Sequence, residues 1–399
     1  MKKKQILKYL LKELSEEEEQ KFEEWVFENR ENMQTFSDYK NAWSVAMAEQ
    51  DGQKVPAEAD YRELIERIGS GKGKSFRHSP RWLKYAAAII LLAGITSVMV
   101  MQLTGPDSSE NQLTGLSGVE PGTKKAMLLL DSGRYIPLDN ESSGTITLDN
   151  KKEVARLDKG EIVYNQESGL KNSKVKETIY NTLIIPRGGE YKLTLSDGTR
   201  IWMNSETEIR YPVEFSGDVR ELSLVKGELY LEVARNEKMA FVVSLNDSVR
   251  VKVLGTHFNI NAYEDEPVVR TTLLEGSVEV ISGRAPSNVL KPGDQLRYNK
   301  SSGYNEIARV NVEEVIAWKN GDFFFDNENL ESIMKKLSRW YDIPVKFKDE
   351  RLKQIQFYGI IKRQEKINAI LEMLELTKAV EFKVVDSVIE VWPVRKRTH

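Results

Sequence analysis

The stretch YAAAIILLAGITSVMVMQL, residues 85–103, determines the organisation of the whole chain. It carries no formal charge, although 30% of the residues of the chain are charged. As an α-helix it would be about 28 Å long, close to the roughly 30 Å hydrocarbon core of a bilayer. Apolar side chains occupy nearly its whole circumference, whereas a soluble core helix would show a polar stripe. The stretch is therefore predicted to be a transmembrane helix, with a buried core helix as the alternative.

The residues on either side of this stretch predict its orientation. Basic side chains precede it at Lys72, Lys74, Arg77, Arg81 and Lys84, and acidic ones follow it at Asp107 and Glu110. The positive-inside rule places residues 1–83 in the cytoplasm and residues 104–399 outside. The stretch also lies too far along the chain for a cleavable signal peptide. We expect a membrane-embedded, single-pass protein.

Composition excludes several kinds of site. The formal net charge of −3 argues against a direct nucleic-acid partner. The chain has no cysteine and three histidines, which leaves little material for a metal cluster or a Ser-His-Asp triad. We expect no metal, no cofactor and no enzymatic activity, although a carboxylate-based hydrolase stays open as a minor alternative.

Residues 1–75 show the pattern of a small all-α domain. Apolar residues recur at helical spacing, and Ser15 with Glu18 forms a capping box that opens a helix. Four aromatic residues lie on the predicted helical stripes: Phe22, Trp25, Phe36 and Trp43. A core this small cannot hide all of them, so part of this surface is a candidate binding site for a cytoplasmic partner. The alternative is that they are only core residues.

Beyond the predicted span, the hydrophobic period changes from 3.6 to 2. Residues 192–195 and 200–203 read as a β-hairpin closed at Asp197-Gly198, and a related hairpin with Gly133 in its turn lies 65 residues earlier. Further alternating strands follow, with Gly227, Gly276 and Gly293 marking turns between them. We expect a leading β region over 112–178 and an all-β domain over 179–310, built as a sandwich, a roll or a solenoid-like stack.

Residues 318–393 predict a compact α+β domain of two βαβ-like halves. Strands are expected at 322–325, 345–347, 356–359, 380–384 and 388–391, with amphipathic helices over 330–341 and 367–376.

A series of short motifs then resembles the FecR family of anti-sigma regulators. In chain order these are PRGGEY (186–191), LSDGT (195–199), WMNS (202–205), YP (211–212), GELYLEV (227–233), VLGTHFNI (253–260) and LEGSV (274–278). The match covers about 180–282. Residues 318–393 are similar to the C-terminal domain of that family, which itself resembles the short N-terminal domain of secretins and TonB-dependent transducers.

The resemblance implies a signalling chain with three partners. The signalling domain of a TonB-dependent outer-membrane transporter would contact the periplasmic part, and residues 1–75 would hold an extracytoplasmic-function (ECF) sigma factor. Because a single helix transmits little movement, regulated proteolysis by an intramembrane protease is the easier route across the membrane. The alternative function is a membrane-anchored periplasmic binding or scaffold protein without sigma regulation.

Gly255 and Thr256 are a candidate self-cleavage site. A threonine hydroxyl can attack the preceding carbonyl in an N-to-O acyl shift, and glycine permits the backbone angles that expose that carbonyl. The dipeptide alone is common, and only its place in VLGTHFNI, similar to where some family members self-cleave, singles it out. An ordinary turn or bulge entering a strand is the alternative.

Overall fold

The computed structural model describes five stretches of the chain: 118–147, 153–165, 178–245, 249–282 and 286–394. It also describes residue 116 and isolated positions at 6, 9, 18, 21, 22 and 25. The chain divides into two compact units, Met1–Ser117 and Gly118–His399. The span predicted over 85–103 lies outside the described residues, and none of the described helices is long and apolar enough to cross a membrane.

Within its described residues, the second unit begins with nineteen strands. They are β1 (Thr123–Lys124), β2 (Ala126–Leu129), β3 (Tyr135–Leu138), β4 (Ser143–Thr147), β5 (Glu153–Asp158), β6 (Glu161–Tyr164), β7 (Tyr180–Ile185), β8 (Gly189–Thr194), β9 (Arg200–Met203), β10 (Thr207–Pro212), β11 (Val219–Glu232), β12 (Ala240–Leu245), β13 (Val249–Val253), β14 (His257–Ala262), β15 (Val268–Glu275), β16 (Val278–Ser282), β17 (Asn288–Leu290), β18 (Asp294–Asn299) and β19 (Asn305–Arg309). The all-β expectation for this region is confirmed.

The strand pairings form two sheets. The first sheet runs in the order β3-β2-β7-β10-β11-β12-β13-β16-β17. The second runs β4-β5-β6-β8-β9-β11-β14-β15-β18-β19, and β1 adds to β8 beside β6. Alternate side chains from both sheets meet in one apolar core, which includes Leu183, Phe241, Leu193 and Phe258. The architecture is a β sandwich.

One long strand, β11, belongs to both sheets. Its first half pairs with β10 and β12, and its second half pairs with β9 and β14. The change of sheet occurs at Gly227, whose φ of 100° is left-handed. A β-carbon there would collide with Thr207. The turn predicted at Gly227 is therefore wrong, because the glycine bends a continuous strand instead of ending it.

The internal repeat is confirmed at the level of its hairpins. In both hairpins a glycine amide donates to a leucine carbonyl three residues earlier: Gly133 to Leu130 and Gly198 to Leu195, each at 2.9 Å. Both glycines have left-handed φ, at 81° and 85°. The β2–β3 hairpin lies in the first sheet and the β8–β9 hairpin in the second.

The rest of the unit, which we call the C-terminal module, contains both helices and strands. Its elements are α1 (Val312–Ile316), a 3₁₀ turn (Ala317–Asn320), β20 (Asp322–Asn329), α2 (Leu330–Tyr341), β21 (Val345–Phe347), a second 3₁₀ turn (Glu350–Gln354), β22 (Gln356–Lys362), α3 (Ile367–Glu375), β23 (Val380–Val385) and β24 (Val388–Pro393). The predicted order of helices and strands is confirmed, but α1 was not predicted from the sequence.

The strand pairing of this module differs from two separate βαβ halves. The first strands of the two halves, β20 and β22, pair with each other antiparallel. The remaining strands form a separate sheet, in the order β21-β24-β23. Both β20 and β22 extend beyond their predicted ends, since their ladder continues past a bulge between Phe325 and Glu328.

Candidate functional site

The C-terminal module packs against the β sandwich through a junction built around three arginines. Arg187 lies in the turn between β7 and β8, Arg339 lies in α2, and Arg363 follows β22. Each one crosses the junction with its guanidinium group, which can donate five hydrogen bonds in a fixed plane.

Arg363 is the most deeply buried of the three, with 2% of its surface exposed. Its Nη1 donates to Glu190 Oε2 at 3.1 Å and to the Trp318 carbonyl at 2.8 Å, and its Nη2 donates to Asn204 Oδ1 at 2.9 Å. The guanidinium carbon stacks 3.6 Å from the ring centroid of Trp340. Burial lowers the pKa of Arg363, and the Glu190 carboxylate opposes that shift. The ion pair with Glu190 and the stacking on Trp340 stabilise the buried charge of Arg363.

Arg339 in α2 makes a second set of contacts across the junction, to the loop between β14 and β15. Its Nη2 donates to Asp265 Oδ1 at 2.5 Å and its Nη1 to Glu266 Oε1 at 3.0 Å. Its guanidinium carbon lies 3.7 Å from the ring centroid of Tyr263. Burial alone would lower the pKa of Arg339, but Tyr263 and the two carboxylates outweigh it and raise the pKa. The loop between β14 and β15 is thereby attached to the C-terminal module.

Arg187 anchors the β7–β8 turn to the end of α2. Its Nη2 donates to the Ser338 carbonyl at 2.6 Å and its Nε to Asp342 Oδ1 at 3.1 Å. Beside it, the Gly188 amide donates to the Arg339 carbonyl at 2.7 Å. The Ser338 carbonyl also accepts from the Asp342 and Ile343 amides, so Arg187 adds a charged donor to a carbonyl at the C-terminal end of α2.

The cavity at the junction has a volume of about 270 Å³ and a mostly polar lining. Strands of the sandwich form one wall, with Glu228 in β11 and Asn261 in β14. Helix α1 supplies Glu314, and the segment after β22 supplies Arg363. Small-molecule sites typically combine a concave shape with a few convergent polar groups, as this cavity does.

Two carboxylates of this cavity have a raised pKa. Burial raises the pKa of Glu228, although Asn204 Nδ2 at 2.9 Å and Asn259 Nδ2 at 3.1 Å donate hydrogen bonds to it. Burial also raises the pKa of Glu314 to about 7, against the attraction of Lys336. Both carboxylates are therefore held where the charged form is costly.

Two of the four aromatic residues predicted for the sigma surface are described, and they lie together. Phe22 is buried and Trp25 is half-buried, both in helix, with ring centroids 5.6 Å apart. Tyr9 stacks on Phe22 at 4.7 Å. Phe36 and Trp43 lie outside the described residues. Whether this cluster binds a partner stays a prediction.

The predicted self-cleavage dipeptide lies between β13 and β14. Thr256 is buried, and its hydroxyl donates to the Ser277 carbonyl at 3.0 Å. Gly255 does not have a left-handed φ, so the unusual backbone angle expected there is not present. Glycine is required at position 255 for space, because a β-carbon there would lie 2.6 Å from Arg235 Cα. The acyl shift itself stays a prediction.

The residues that form the junction were not singled out from the sequence as site residues. Several of them nevertheless lie inside the short motifs quoted above: Arg187, Glu190, Asn204, Glu228 and Asn259. The sequence therefore contained a sign of a polar site, since these polar residues recur within strand motifs where alternation of apolar residues alone would not place them. Which module they face could not be inferred from it.

Comparisons with known proteins agree on the family. A model of the FecR protein family matches residues 181–279, and one of the FecR C-terminal domain matches residues 322–391. A crystal structure at 1.65 Å resolution of a proposed anti-sigma factor from Parabacteroides distasonis ATCC 8503 is 26% identical, with a TM-score of 0.50; the match covers 54% of this chain and 99% of that chain. A second structure with the same description, at 2.50 Å, matches with the same score and identity and is covered over 100% of its length. The search of curated proteins found no match.

Proposed function

This chain belongs to the FecR family of anti-sigma factors, and from that premise we propose that it is a single-pass inner-membrane protein that relays a signal from an outer-membrane TonB-dependent transporter to a cytoplasmic ECF sigma factor. The observation that carries the proposal is the presence of both FecR domains in one chain, joined by the arginine junction. The uncharged stretch over 85–103 supports the membrane span.

The C-terminal module is the proposed docking site for the signalling domain of the transporter. Among the described residues, β21 and β23 each pair with β24 alone, so each leaves one edge without a strand neighbour. A strand edge can accept an added strand through backbone hydrogen bonds, with little demand on sequence. Val385, at the end of β23, is exposed and can contribute an apolar contact.

The arginine junction supports a coupling between this docking site and the beginning of the outer region. Gly122, just before β1, packs against Trp340 of α2, and Trp340 in turn stacks on Arg363. A shift of α2 would therefore disturb β1, a strand of two residues held by β8. We infer that such a disturbance triggers proteolysis of the chain, which an intramembrane protease completes.

At the cytoplasmic end, the surface around Phe22, Trp25, Phe36 and Trp43 is the proposed binding site for the sigma factor. The exposed part of Trp25 supports this assignment, because half-buried aromatic side chains are frequent anchors of protein interfaces.

The test is co-purification of the full-length chain from its native host, with identification of bound sigma factors by mass spectrometry. We expect an ECF sigma factor, and we expect deletion of residues 318–399 to abolish ligand-induced transcription while the β sandwich stays folded. A scaffold protein without sigma regulation would instead give no sigma factor and no effect on transcription. Normal induction in the deletion variant would refute the docking role of the C-terminal module.

A further inference from the structure

The polar cavity at the junction has an unusual balance of charge. Three of its acidic residues have a cation at ion-pair distance: Glu266 with Arg270 at 2.6 Å, Glu328 with Lys336 at 2.7 Å, and Asp322 with Lys362 at 2.6 Å. These pairs satisfy the requirement that buried charges be compensated. The cavity would be an ordinary internal ion-pair network if every acid were paired in this way.

Glu228 and Glu314 are different. Within the described part of the chain, neither one forms an ion pair, and Glu228 is contacted only by the neutral amides of Asn204 and Asn259. Glu314 accepts no side-chain hydrogen bond from the described residues, although Lys336 and Arg297 lie in electrostatic range. Two carboxylates without a direct ion pair thus line one cavity, with Lys336 in electrostatic range of both. A positively charged group placed between the walls would stabilise both carboxylates further.

The cavity lining also contains buried polar atoms that lack a hydrogen-bond partner. Arg363 is 2% exposed and lines the cavity, and its Nε has no hydrogen-bond partner in the protein. Asn261, on the facing wall, has a buried Oδ1 without a partner. Buried polar atoms of this kind nearly always have a partner, so each orphan indicates a group that is supplied from elsewhere. Arg363 requires an acceptor, and Asn261 requires a donor.

From these observations we propose that the cavity binds a small molecule that carries a primary ammonium group next to an oxygen acceptor. The ammonium group would lie against Glu228 and Glu314 and donate to Asn261 Oδ1, while the oxygen would accept from Arg363 Nε. The volume of about 270 Å³ is below the range of drug-sized sites and fits a small metabolite. A free amino acid and an amino sugar both have this chemistry. The site goes beyond the proposed relay, which needs no ligand inside this chain.

The lining of the cavity favours a charged ligand over a neutral one. Arg363 covers the ring of Trp340 and Arg339 covers the ring of Tyr263, so neither of these faces is free to stack on a ligand. Besides Trp318, Phe323 and Phe324, the lining consists largely of carboxylates, amides and cationic side chains, which select charge and hydrogen bonding.

The first experiment is a thermal-shift assay and isothermal titration calorimetry on the purified full-length chain, with millimolar pools of proteinogenic amino acids and of amino sugars. Matched pools of hydroxy acids and neutral sugars lack the amine. We expect one amine pool to raise the melting temperature and its matched pool to have no effect; which of the two pools acts identifies the source. Stabilisation by neither amine pool, or equally by a matched pool, overturns the proposal.

The second experiment uses variants and pH with the compound so identified. Glu314→Gln should weaken binding about tenfold or more, whereas Glu313→Gln, an exposed neighbour in α1, should not change it. Binding should strengthen about tenfold between pH 6 and pH 8 as Glu314 ionises, in the presence of the facing groups Asp326, Glu328, Lys336 and Arg297, and this dependence should vanish in Glu314→Gln. Asn261→Ala provides a second variant that keeps both carboxylates. Unchanged affinity in both Glu314→Gln and Asn261→Ala would place the ligand elsewhere and refute the site.

Discussion

The backbone of Gly122 lies directly against the indole ring of Trp340, so that a β-carbon at position 122 would be 2.5 Å from Trp340 Cε3. The indole is itself fixed, since its Nε1 donates to the Arg363 carbonyl at 2.7 Å and its face carries the Arg363 guanidinium group. The start of the second unit and the C-terminal module therefore share one rigid contact, although more than half of the chain separates them in sequence.

Gly122→Ala should destabilise the second unit by about 1–3 kcal/mol, because the added methyl group meets a ring that cannot move aside. Chemical denaturation measures the loss. Gly118→Ala is the matched control, since nothing lies within 4 Å of a β-carbon there. If both variants have the same stability as the original chain, Trp340 is not held as tightly as the contact implies.

Arg363→Lys should lower stability by about 2–3 kcal/mol even though it keeps the charge. Lysine cannot reproduce the planar contacts to Glu190 and Asn204 or the stacking on Trp340. Hydrogen exchange should rise in α2 (Leu330–Tyr341) and at β1. Arg351→Lys, an exposed position of the same module, serves as the control. Unaltered exchange in α2 would show that Arg363 does not hold the junction.

The stability of the second unit should fall as pH rises from about 5 to about 8. Burial raises the pKa of Glu314 from 4.5 to about 7 in the folded state, so the folded chain binds more protons than the unfolded chain between these values. The contribution of Glu314 to stability is therefore complete below its unfolded pKa. It is lost as pH rises through its folded pKa, by roughly 1–3 kcal/mol. Urea unfolding across this range should show a smaller slope for Glu314→Gln. An identical slope in the variant would assign the pH dependence to other groups.

Trp25→Ala should weaken sigma binding by about 2–4 kcal/mol, since a half-buried aromatic anchor loses its contact area. Pull-down with the full-length chain measures the effect, after circular dichroism has shown that the variant stays helical. Glu18→Gln, at an exposed position, is the control. Trp43→Ala should weaken binding as well. Full binding by both folded tryptophan variants would contradict the assignment of this surface.

Thr256→Ala should leave the purified chain in one piece if the original chain splits between Gly255 and Thr256. Thr256→Ser keeps a hydroxyl and should still split, and Thr123→Ala, at another Gly-Thr pair, should split normally. Cleavage requires the Thr256 hydroxyl to leave the Ser277 carbonyl, which now accepts its hydrogen bond. Mass spectrometry of the intact chain decides the matter, and an unsplit original chain ends the hypothesis.

Local pattern was a good guide to most of the elements. The hairpin at Asp197-Gly198 and the helix over Leu330–Tyr341 were both predicted, because turn chemistry and hydrophobic period act within a few residues. The pattern failed at Gly227, where alternation on both sides of a glycine gave two strands instead of one. Glycine marks a turn and a bend equally well, and only the approach of Thr207 distinguishes them.

The sequence by itself determined the class of the β sandwich and of the C-terminal module, the repeat of the two hairpins and the resemblance to the FecR family, since all of these depend on residues close together in the chain. The tertiary structure alone decided the junction. Arg187 and Asp342 are 155 positions apart and Arg363 and Glu190 are 173 apart, and no local pattern encodes such a pairing. The pKa of Glu314 and the orphan Nε of Arg363 likewise depend on burial by distant elements, because desolvation and pairing of charge arise only when the modules come together.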